Sequence, residues 1–311
     1  MKYLVSGGAG FIGSNLVVEL LQRGHQVRVL DNFATGRRQN LRPFQEKIEL
    51  IEGDFRSYHI VREAVDGIDF ILHQGALPSV PRSIKDPITT NQVNVEGTLN
   101  ILNAALDAGV KRVVFASSSS IYGDSETLPK QEDMMPNPLS PYAVSKQAGE
   151  KYCQVFARIY KLHTVALRYF NVFGPRQDPT SQYSAVIPKF IKAIREDRQP
   201  TIFGDGKQSR DFTFVQNVVT ANILATEADF PPGMVFNCAC HERIDLTELV
   251  ATINKILNKK IAALYADPRP GDVKHSFANI DRIKKFLGYE PKVFFEEGLK
   301  HTIQWYQEGN E

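Results

Sequence analysis

The chain has 311 residues, of which 42% are hydrophobic and 23% charged, and 37 basic against 35 acidic side chains leave a net charge of +2. This balance is typical of a globular protein with a sizeable core, and it argues against nucleic acid or an anionic membrane as a partner. Three cysteines are too few for a disulfide framework, no apolar run is long enough to span a membrane, and the first residues lack a signal-peptide core. We therefore expect a cytoplasmic protein with reduced thiols.

A short apolar run at the start of the chain leads directly into the heptapeptide GGAGFIG, which begins at Gly7. Gly7 lets a strand turn sharply, Gly10 lets backbone N–H groups approach a pyrophosphate, and Gly13 lets the following helix pack close to a sheet. Asp31 ends the next apolar run, QVRVLD, where a carboxylate can accept both hydroxyls of a ribose and would repel a 2′-phosphate. The pattern predicts a dinucleotide site that favours NAD over NADP.

Apolar runs and amphipathic stretches alternate through the first half of the chain. We predict helices at 11–23, 57–65, 89–108 and 142–160, and strands at 26–31, 48–52, 70–73, 112–116 and 164–168. This alternation predicts an α/β fold with a Rossmann-like, doubly wound parallel sheet of six or seven strands, forming an NAD-binding domain over residues 1–170. After this point the elements shorten between Pro and Gly, which indicates a smaller α/β C-terminal substrate lobe over residues 171–311, with the chain able to cross between the lobes.

The segment Tyr142-Ala-Val-Ser-Lys146 opens a predicted helix, and a run of serines, residues 117–120, follows a predicted strand. Residues i and i+4 share one face of a helix, so the Lys146 ammonium can stand near the Tyr142 phenol. That cation and a positive nicotinamide would stabilise the phenolate and make it a usable base. A serine hydroxyl that reaches the same substrate oxygen would complete a proton-transfer triad.

Together these features resemble the extended short-chain dehydrogenase/reductase family, and within it the UDP-hexose and UDP-N-acetylhexosamine 4-epimerases. The motifs that carry the resemblance span essentially the whole chain: GGAGFIG, Asp31-Asn32, Gly53-Asp54, HQGA at 73–76, ASSSSIYG at 116–123, SPYAVSK at 140–146, LRYFNVFGPRQ at 167–177, SRDF at 209–212 and RPGD at 269–272. The resemblance implies that Ser118, Tyr142 and Lys146 are catalytic, since the working serine of the family lies four residues before the tyrosine of the YG pair, here Tyr122.

The resemblance also implies two sets of binding residues. Those for NAD are Gly7, Gly10, Phe11, Ile12, Gly13, Asp31, Asn32, Gly36, Asp54, Phe55, Gln74, Gly75, Ala76, Tyr142, Lys146 and Phe170. Those for the UDP-sugar are Pro78, Ser118, Ser119, Asn171, Gln177, Ala185, Val186, Lys189, Thr201, Phe203, Arg210, Arg269, Asp272 and Ser276. The two arginines of the second set would bind the diphosphate bidentately, and no metal site is expected.

The reaction implied by the resemblance is C4 epimerisation through a 4-keto sugar, with a tightly bound NAD regenerated in each turnover. Ser119 and Ser120 stand where related 4,6-dehydratases carry an acid pair and decarboxylases a glutamate, which argues against both reactions. Ser276 stands where a bulky tyrosine would exclude an N-acetyl group, which favours UDP-GlcNAc and UDP-GalNAc alongside UDP-glucose and UDP-galactose. Three alternatives remain open: a UDP-glucuronate 4-epimerase, a nucleotide-sugar oxidoreductase that releases its cofactor, and a non-catalytic sensor.

Two positions depart from the family pattern. Gly75 replaces a usual alanine, and the amides Gln216 and Asn217 occupy a place where an acid often helps to hold the substrate lobe. Because of these two departures, the sequence does not determine the shape of the substrate pocket. The amphipathic stretches at 89–108 and 142–160 could pack against their copies as a four-helix bundle, the usual homodimer of the family.

Overall fold

The computed structural model describes residues 1–178, 185–268 and 273–308. Within these ranges the strands are β1 (Lys2–Ser6), β2 (Gln26–Asp31), β3 (Ile48–Glu52), β4 (Phe70–His73), β5 (Arg112–Ser118), β6 (Thr164–Tyr169), β7 (Val172–Phe173), β8 (Thr201–Phe203), β9 (Ser209–Arg210), β10 (Thr213–Phe214), β11 (Met234–Cys238), β12 (Ile244–Asp245), β13 (Leu264–Ala266) and β14 (His275–Ser276). The α-helices are α1 (Phe11–Gln22), α2 (Arg38–Leu41), α3 (Tyr58–Val65), α4 (Val80–Lys85), α5 (Pro87–Asn91), α6 (Gly97–Asp107), α7 (Pro141–Tyr160), α8 (Val186–Arg195), α9 (Val215–Glu227), α10 (Leu246–Leu257), α11 (Asp281–Leu287) and α12 (Phe295–Gln307). Two 3₁₀ turns (Arg42–Lys47 and Ser119–Tyr122) and one π-helical turn (Gln92–Glu96) complete the described structure.

Seven strands form one parallel sheet in the order β11-β6-β5-β4-β1-β2-β3. The strand β1 has β2 on one side and β4 on the other, so the connections diverge here and open a crevice beyond the carboxyl ends of the strands. The predicted Rossmann-like parallel sheet is confirmed. Its edge strand β11 comes from beyond residue 170, so the chain returns to the sheet after entering the second lobe.

Side chains of successive strand residues enter two separate cores. Val5 and Val29 pack on the face covered by α1 and α9, whereas Leu4 and Leu30 pack on the face covered by α3, α6 and α7. Because helices cover both faces, inner strands such as β1, β4 and β6 are buried along nearly their whole length rather than at alternate residues, whereas the edge strand β3 is largely exposed. This burial holds the carboxyl edge of the sheet rigidly in place.

The second lobe has its own core, in which the aromatic rings of Phe173, Phe212, Phe214 and Phe295 pack against α8, α10 and α12. Three small sheets lie in this lobe, with the orders β12-β9-β14, β13-β8 and β10-β7. The short elements between Pro and Gly that the sequence predicted are therefore paired strands and helices of one packed unit.

Several local features differ from the sequence prediction, among them the following. The strand β5 runs two residues further than predicted, because Ser117 and Ser118 pair with Arg168 and Tyr169 of β6. The helix predicted at 89–108 is interrupted by the π-helical turn, and α4 was not predicted. No helix in the described part of the chain is long and apolar enough to cross a membrane.

Candidate active site

The glycine loop joins β1 to α1 with the tight geometry that its sequence predicts. Gly7 has a φ of 70° and donates its N–H to Leu30 O at 2.8 Å. A Cβ on Gly13 would lie 2.2 Å from Gly7 O, so only glycine lets α1 approach this closely. Gly10 precedes the helix and offers no side-chain acceptor to the N–H groups of its first turn, which begins with Phe11 and Ile12. The helix N-terminus therefore presents donors suited to a phosphate.

Asp31 ends β2 beside this loop. Its Oδ2 accepts the N–H of Ala9 at 2.8 Å and its Oδ1 accepts the N–H of Phe33 at 2.8 Å. Burial raises the pKa of Asp31, and these two hydrogen bonds oppose the rise. Gly36 lies against the same carboxylate, since a Cβ there would stand 3.0 Å from Oδ1. The predicted ribose-binding acid and Gly36 are thus placed next to the glycine loop.

The ends of β3 and β4 bring further predicted cofactor residues to this edge. Asn32 donates to Asp54 Oδ2 at 3.1 Å, and the next residue, Phe55, packs its ring against Gly75. Gly75 in turn abuts the glycine loop, because a Cβ on Gly7 would lie 2.7 Å from Gly75 Cα. The loops after β1, β3 and β4, which are distant in sequence, therefore pack against one another at the carboxyl edge of the sheet.

The Gln74 side chain is held in place from the opposite face of the sheet. Its Nε2 donates to Asn222 Oδ1 at 3.1 Å, and its Oε1 accepts the Tyr169 hydroxyl at 3.2 Å. Ala76 follows in a partly buried position, and Pro78 is exposed at the rim. Phe170 is fully buried and its ring centre lies 6.0 Å from that of Tyr122.

The predicted catalytic residues converge from β5 and α7. Ser118 is the last residue of β5, and its Oγ accepts the N–H of Ser120 at 3.1 Å. Tyr142 is the second residue of α7, whose first turn is capped by Ser140, and the Ser118 side chain lies close enough to the Tyr142 hydroxyl to counteract the rise in its pKa that burial causes. Lys146 follows one turn later, with its Nζ donating to Ala116 O at 2.8 Å and lying 5.9 Å from the centre of the Tyr142 ring.

Burial shifts the pKa values of Lys146 and Tyr142. The Lys146 side chain is buried, with a relative exposure of 4%, and burial lowers its pKa to about 8. Burial raises the pKa of Tyr142, and the nearby Ser118 side chain opposes that rise. The phenol therefore depends on nearby positive charge to ionise, and Lys146 is the cation within reach of its ring.

Two supporting interactions were missed by the sequence analysis. Asn94, in the π-helical turn, accepts the N–H of Leu77 at 2.7 Å and donates to Leu77 O at 3.2 Å and to Ser145 Oγ at 3.0 Å. The Ser145 hydroxyl then donates to Tyr142 O at 2.7 Å. Asn94 thus links the segment after β4 to the helix that carries the tyrosine. The signal available in the sequence was the polar pair Asn94 and Thr98, four residues apart on an otherwise apolar helix face.

His73, at the end of β4, occupies the other supporting position. Its Nδ1 lies 2.6 Å from Ser6 Oγ and its Nε2 lies 3.0 Å from Thr98 Oγ1, while Thr98 donates to Asn94 O. Thr98 therefore accepts from the ring, which assigns the proton to Nε2. Burial and the Lys146 charge lower the pKa of His73 to about 3, so the ring stays neutral and links β1, β4 and α6.

In the second lobe, Asn171, Arg210 and Ser276 are brought together. Asn171 has a φ of 32° and donates its Nδ2 to Asp211 O at 3.2 Å. Arg210 and Ser276 are partners in the register of β9 and β14, and the N–H of Asp211 donates to Ser276 O at 2.8 Å. Three residues that are far apart in sequence thus meet around one aspartate.

The remaining predicted sugar and nucleotide contacts are more dispersed. Gln177 donates to Val172 O at 3.3 Å, and Ser119 is the first residue of the 3₁₀ turn after Ser118. Ala185 precedes α8, Val186 begins that helix, and Lys189 is exposed on its first turn. Thr201 and Phe203 are the first and last residues of β8. Arg269 and Asp272 lie outside the described residues. In the described ranges, no group of three or more His, Cys, Asp or Glu side chains could hold a metal ion.

Comparisons with known proteins agree with this geometry. The family model described as "NAD dependent epimerase/dehydratase family" matches residues 3–239. A putative UDP-glucose 4-epimerase of Methanocaldococcus jannaschii is 35% identical over 309 residues, which cover 99% of each chain.

Two solved structures have the same fold over nearly their full length. The UDP-N-acetylglucosamine 4-epimerase from Methanobrevibacter ruminantium M1, in complex with UDP-N-acetylmuramic acid, superposes with a TM-score of 0.95 at 39% identity, covering 99% of this chain and 98% of that one. The UDP-glucuronic acid 4-epimerase from Bacillus cereus, in complex with UDP-glucuronic acid and NAD, gives a TM-score of 0.91 at 31% identity, covering 99% of both chains. The similarity thus extends over both lobes.

Proposed function

The chain belongs to the NAD-dependent epimerase/dehydratase family, and we propose that it inverts the configuration at C4 of a UDP-sugar. In this proposal UDP-GlcNAc and UDP-GalNAc are the favoured pair, and UDP-glucose and UDP-galactose are further substrates. The observation that carries the proposal is the position of Tyr142, with Lys146 and Ser118 beside it, at the sheet edge that also carries the glycine loop. A proton relay beside a dinucleotide cradle is what reversible oxidation of an alcohol carbon requires.

The cradle fits NAD. A Cβ would collide with backbone at Gly7 and Gly13, and the N-cap Gly10 gives the first N–H groups of α1 no side-chain acceptor, which suits a pyrophosphate there. Asp31 stands at the carboxyl end of the neighbouring strand, where it would accept the adenosine ribose hydroxyls. These residues would hold NAD, whose nicotinamide would supply reversible hydride transfer at C4 of the sugar.

The residues of this chain would move the proton. Tyr142, as phenolate, would take the proton of the sugar 4-hydroxyl and later return it, while the Lys146 ammonium stabilises the ionised phenol. The Ser118 hydroxyl would donate to the same substrate oxygen and fix its position. Between the two transfers, the 4-keto sugar turns over while Arg210 and the other nucleotide contacts retain the UDP.

The sugar specificity rests on Ser276. This side chain is short and partly buried, and its strand partner is Arg210, the proposed phosphate ligand. A small hydroxyl near the C2 substituent leaves room for an acetamido group and can hydrogen-bond to it. UDP-glucuronate is the second candidate, because one of the similar structures is a UDP-glucuronic acid 4-epimerase and the proton relay alone does not discriminate at C6.

The test is product analysis with the purified protein and no added cofactor. UDP-GalNAc, UDP-galactose and UDP-glucuronate are incubated separately, and we expect conversion of UDP-GalNAc to UDP-GlcNAc. Tyr142→Phe should lower that rate by roughly 10² to 10⁴ fold, the usual contribution of a positioned acid–base group. Conversion of UDP-glucuronate alone would replace the favoured substrate with the second candidate, and no conversion of any sugar, even with NAD supplied, would contradict the function.

Ser276→Tyr provides the matched specificity control. A tyrosine at this position should suppress turnover of UDP-GalNAc while leaving turnover of UDP-galactose, because only the former needs the extra volume. Equal losses with both sugars would show that Ser276 does not border the C2 substituent.

We further propose that the protein is a homodimer that pairs α5 and α6 with α7 as a four-helix bundle. Exposed apolar side chains lie along these helices, including Ile88, Val144, Val155 and Ile159, and α5 packs against α7. Val155→Glu should convert a dimer into a monomer in light scattering, whereas Leu264→Glu, an exposed apolar site in the second lobe, should leave the mass unchanged. A monomeric parent protein would overturn this proposal.

The three cysteines, Cys153, Cys238 and Cys240, are buried free thiols. Buried unpaired thiols are typical of proteins from reducing compartments. We therefore propose that the protein is cytoplasmic, and fractionation of cells that produce it would test this.

A further inference from the structure

Asp211 is a fully buried carboxylate in the second lobe, between β9 and β10. Its Oδ1 accepts the N–H of Cys240 at 3.0 Å, and its Oδ2 accepts the N–H of Ala278 at 3.2 Å. The backbone N–H of Glu242 lies near the same carboxylate and opposes the rise in its pKa that burial causes. One side chain therefore ties the segment that follows β11 to the segment that follows β14.

The backbone of Asp211 makes two more connections, both to proposed substrate contacts. Its N–H donates to Ser276 O at 2.8 Å, and its carbonyl accepts Asn171 Nδ2 at 3.2 Å. The residue before it is Arg210, the proposed phosphate ligand. Asp211 is thus bonded to, or adjacent in sequence to, three residues proposed to hold the UDP-sugar.

Only a carboxylate satisfies this site. Ionised aspartate is an acceptor on both oxygens, whereas an asparagine would turn an N–H₂ group toward one of the backbone donors. Burial raises the pKa of Asp211 to about 7, against the opposing effects of the backbone hydrogen bonds and of nearby His241. Among the described residues, the hydrogen-bond donors to this buried carboxylate are backbone N–H groups, which suits a side chain that holds segments together rather than a substrate ligand.

We propose that Asp211 is a positioning residue for the UDP-sugar site, which sets Arg210, Asn171 and Ser276 relative to one another without contacting the substrate. This inference rests on the proposed function, because those three residues are its substrate contacts. Loss of the Asp211 carboxylate should weaken UDP-sugar binding, while the proton relay at Tyr142 and the NAD-binding loops of the first lobe stay intact.

The first test compares Asp211→Asn with the parent protein. We expect KM for the UDP-sugar to rise by at least about tenfold, with kcat within about threefold and NAD content unchanged, because one buried donor is left facing another donor. The inhibition constant for UDP should rise in parallel, since UDP makes the nucleotide contacts alone. An unchanged KM, or a fall in kcat and NAD content in a variant that is still folded, would overturn the proposal.

Asn254→Asp is the matched control. Asn254 is partly buried on α10 in the second lobe, where its Nδ2 donates to Ile261 O at 2.9 Å and its Oδ1 accepts the N–H of Ile261 at 2.8 Å. This opposite exchange disturbs hydrogen bonds that involve neither Asp211 nor its partners nor the three contacts. It should reduce stability and leave KM unchanged, and an equal rise in KM would mean that any disturbance of this lobe has the same effect.

A measurement on the unmodified protein covers the case in which Asp211→Asn does not fold. Addition of UDP should slow hydrogen exchange at the amides of Cys240 and Ala278, because binding that needs the Asp211 linkage must also stabilise it. Unchanged exchange at both amides, with UDP bound, would overturn the inference. If UDP does not bind and no UDP-sugar is turned over, the proposed function itself fails.

Discussion

Lys146 and Tyr142 lie one helical turn apart on α7, with the Lys146 ammonium nitrogen 5.9 Å from the centre of the Tyr142 ring and anchored to Ala116 O at 2.8 Å. The hydrogen bond to β5 restricts the positions that the ammonium can take. The cation is therefore held within reach of the phenol, in buried surroundings.

This arrangement predicts a large effect of removing the charge. Lys146→Met should lower kcat by about 100-fold or more, because the Tyr142 phenolate loses the cation that stabilises it. Lys151→Met is the control, since Lys151 is an exposed lysine on the same helix, and it should keep the parent rate. Product formation is measured at saturating UDP-sugar, and equal rates for the two variants would contradict the role of Lys146.

The pH dependence of the reaction follows from the same buried amine. Burial lowers the pKa of Lys146 to about 8, so the ammonium is present below this pH and is lost as the pH rises through it. We expect kcat/KM to fall above about pH 8. In Lys146→Arg the guanidinium stays charged, so the alkaline limb should move upward even if the absolute rate drops. An alkaline limb that stays in place would assign it to another group.

Gly75 departs from the family pattern, and the structure explains why. A Cβ there would lie 2.7 Å from Cε1 of Phe55, whose ring also fills the space beside Gly97. Gly75→Ala should therefore destabilise the fold by about 1–3 kcal/mol through overpacking, and lower the NAD content of the purified protein.

The double variant Gly75→Ala with Phe55→Leu tests that explanation. The smaller side chain removes the ring atoms that meet the new Cβ, so part of the lost stability and NAD content should return. Urea unfolding and absorbance of released NAD provide the two measurements. Strictly additive losses would show that the ring and Gly75 are not coupled.

His73 predicts a specific acid sensitivity. Its pKa is lowered from 6.5 to about 3 in the folded protein, so below pH 6.5 the unfolded chain binds a proton that the native state does not. The stabilisation is fully present above about pH 6.5 and is lost progressively as the pH falls toward 3, with a slope of up to about 1.4 kcal/mol per pH unit.

The variant His73→Gln removes this titration and should flatten the dependence of unfolding free energy on pH between about 4 and 6.5. His59→Gln, at an exposed position on α3, should keep the parent slope. Urea unfolding at several pH values measures both, and identical slopes in all three proteins would contradict the burial argument.

The parallel sheet and the glycine loop could be predicted from the sequence because their determinants are local. Strand and helix periodicity, the glycines at 7, 10 and 13, and the spacing of Tyr142 and Lys146 each depend on residues within one or two turns of each other. The family resemblance extended this to Ser118 and to the second lobe. Local patterns did not predict where β5 ends, since its last two residues are strand only because β6 pairs with them.

The support of the site was decided by the tertiary structure alone. Asn94 is hydrogen-bonded to Leu77 and Ser145, and Asp211 to Cys240 and Ala278. These partners are too far apart in sequence for helix or strand periodicity to predict the contacts. The chemistry of the chain can be predicted from its residues, because proton transfer and phosphate binding need particular residue types at short spacing. How these residues are held depends on the fold, because buried polar groups must find partners, and those partners come from segments that packing brings together.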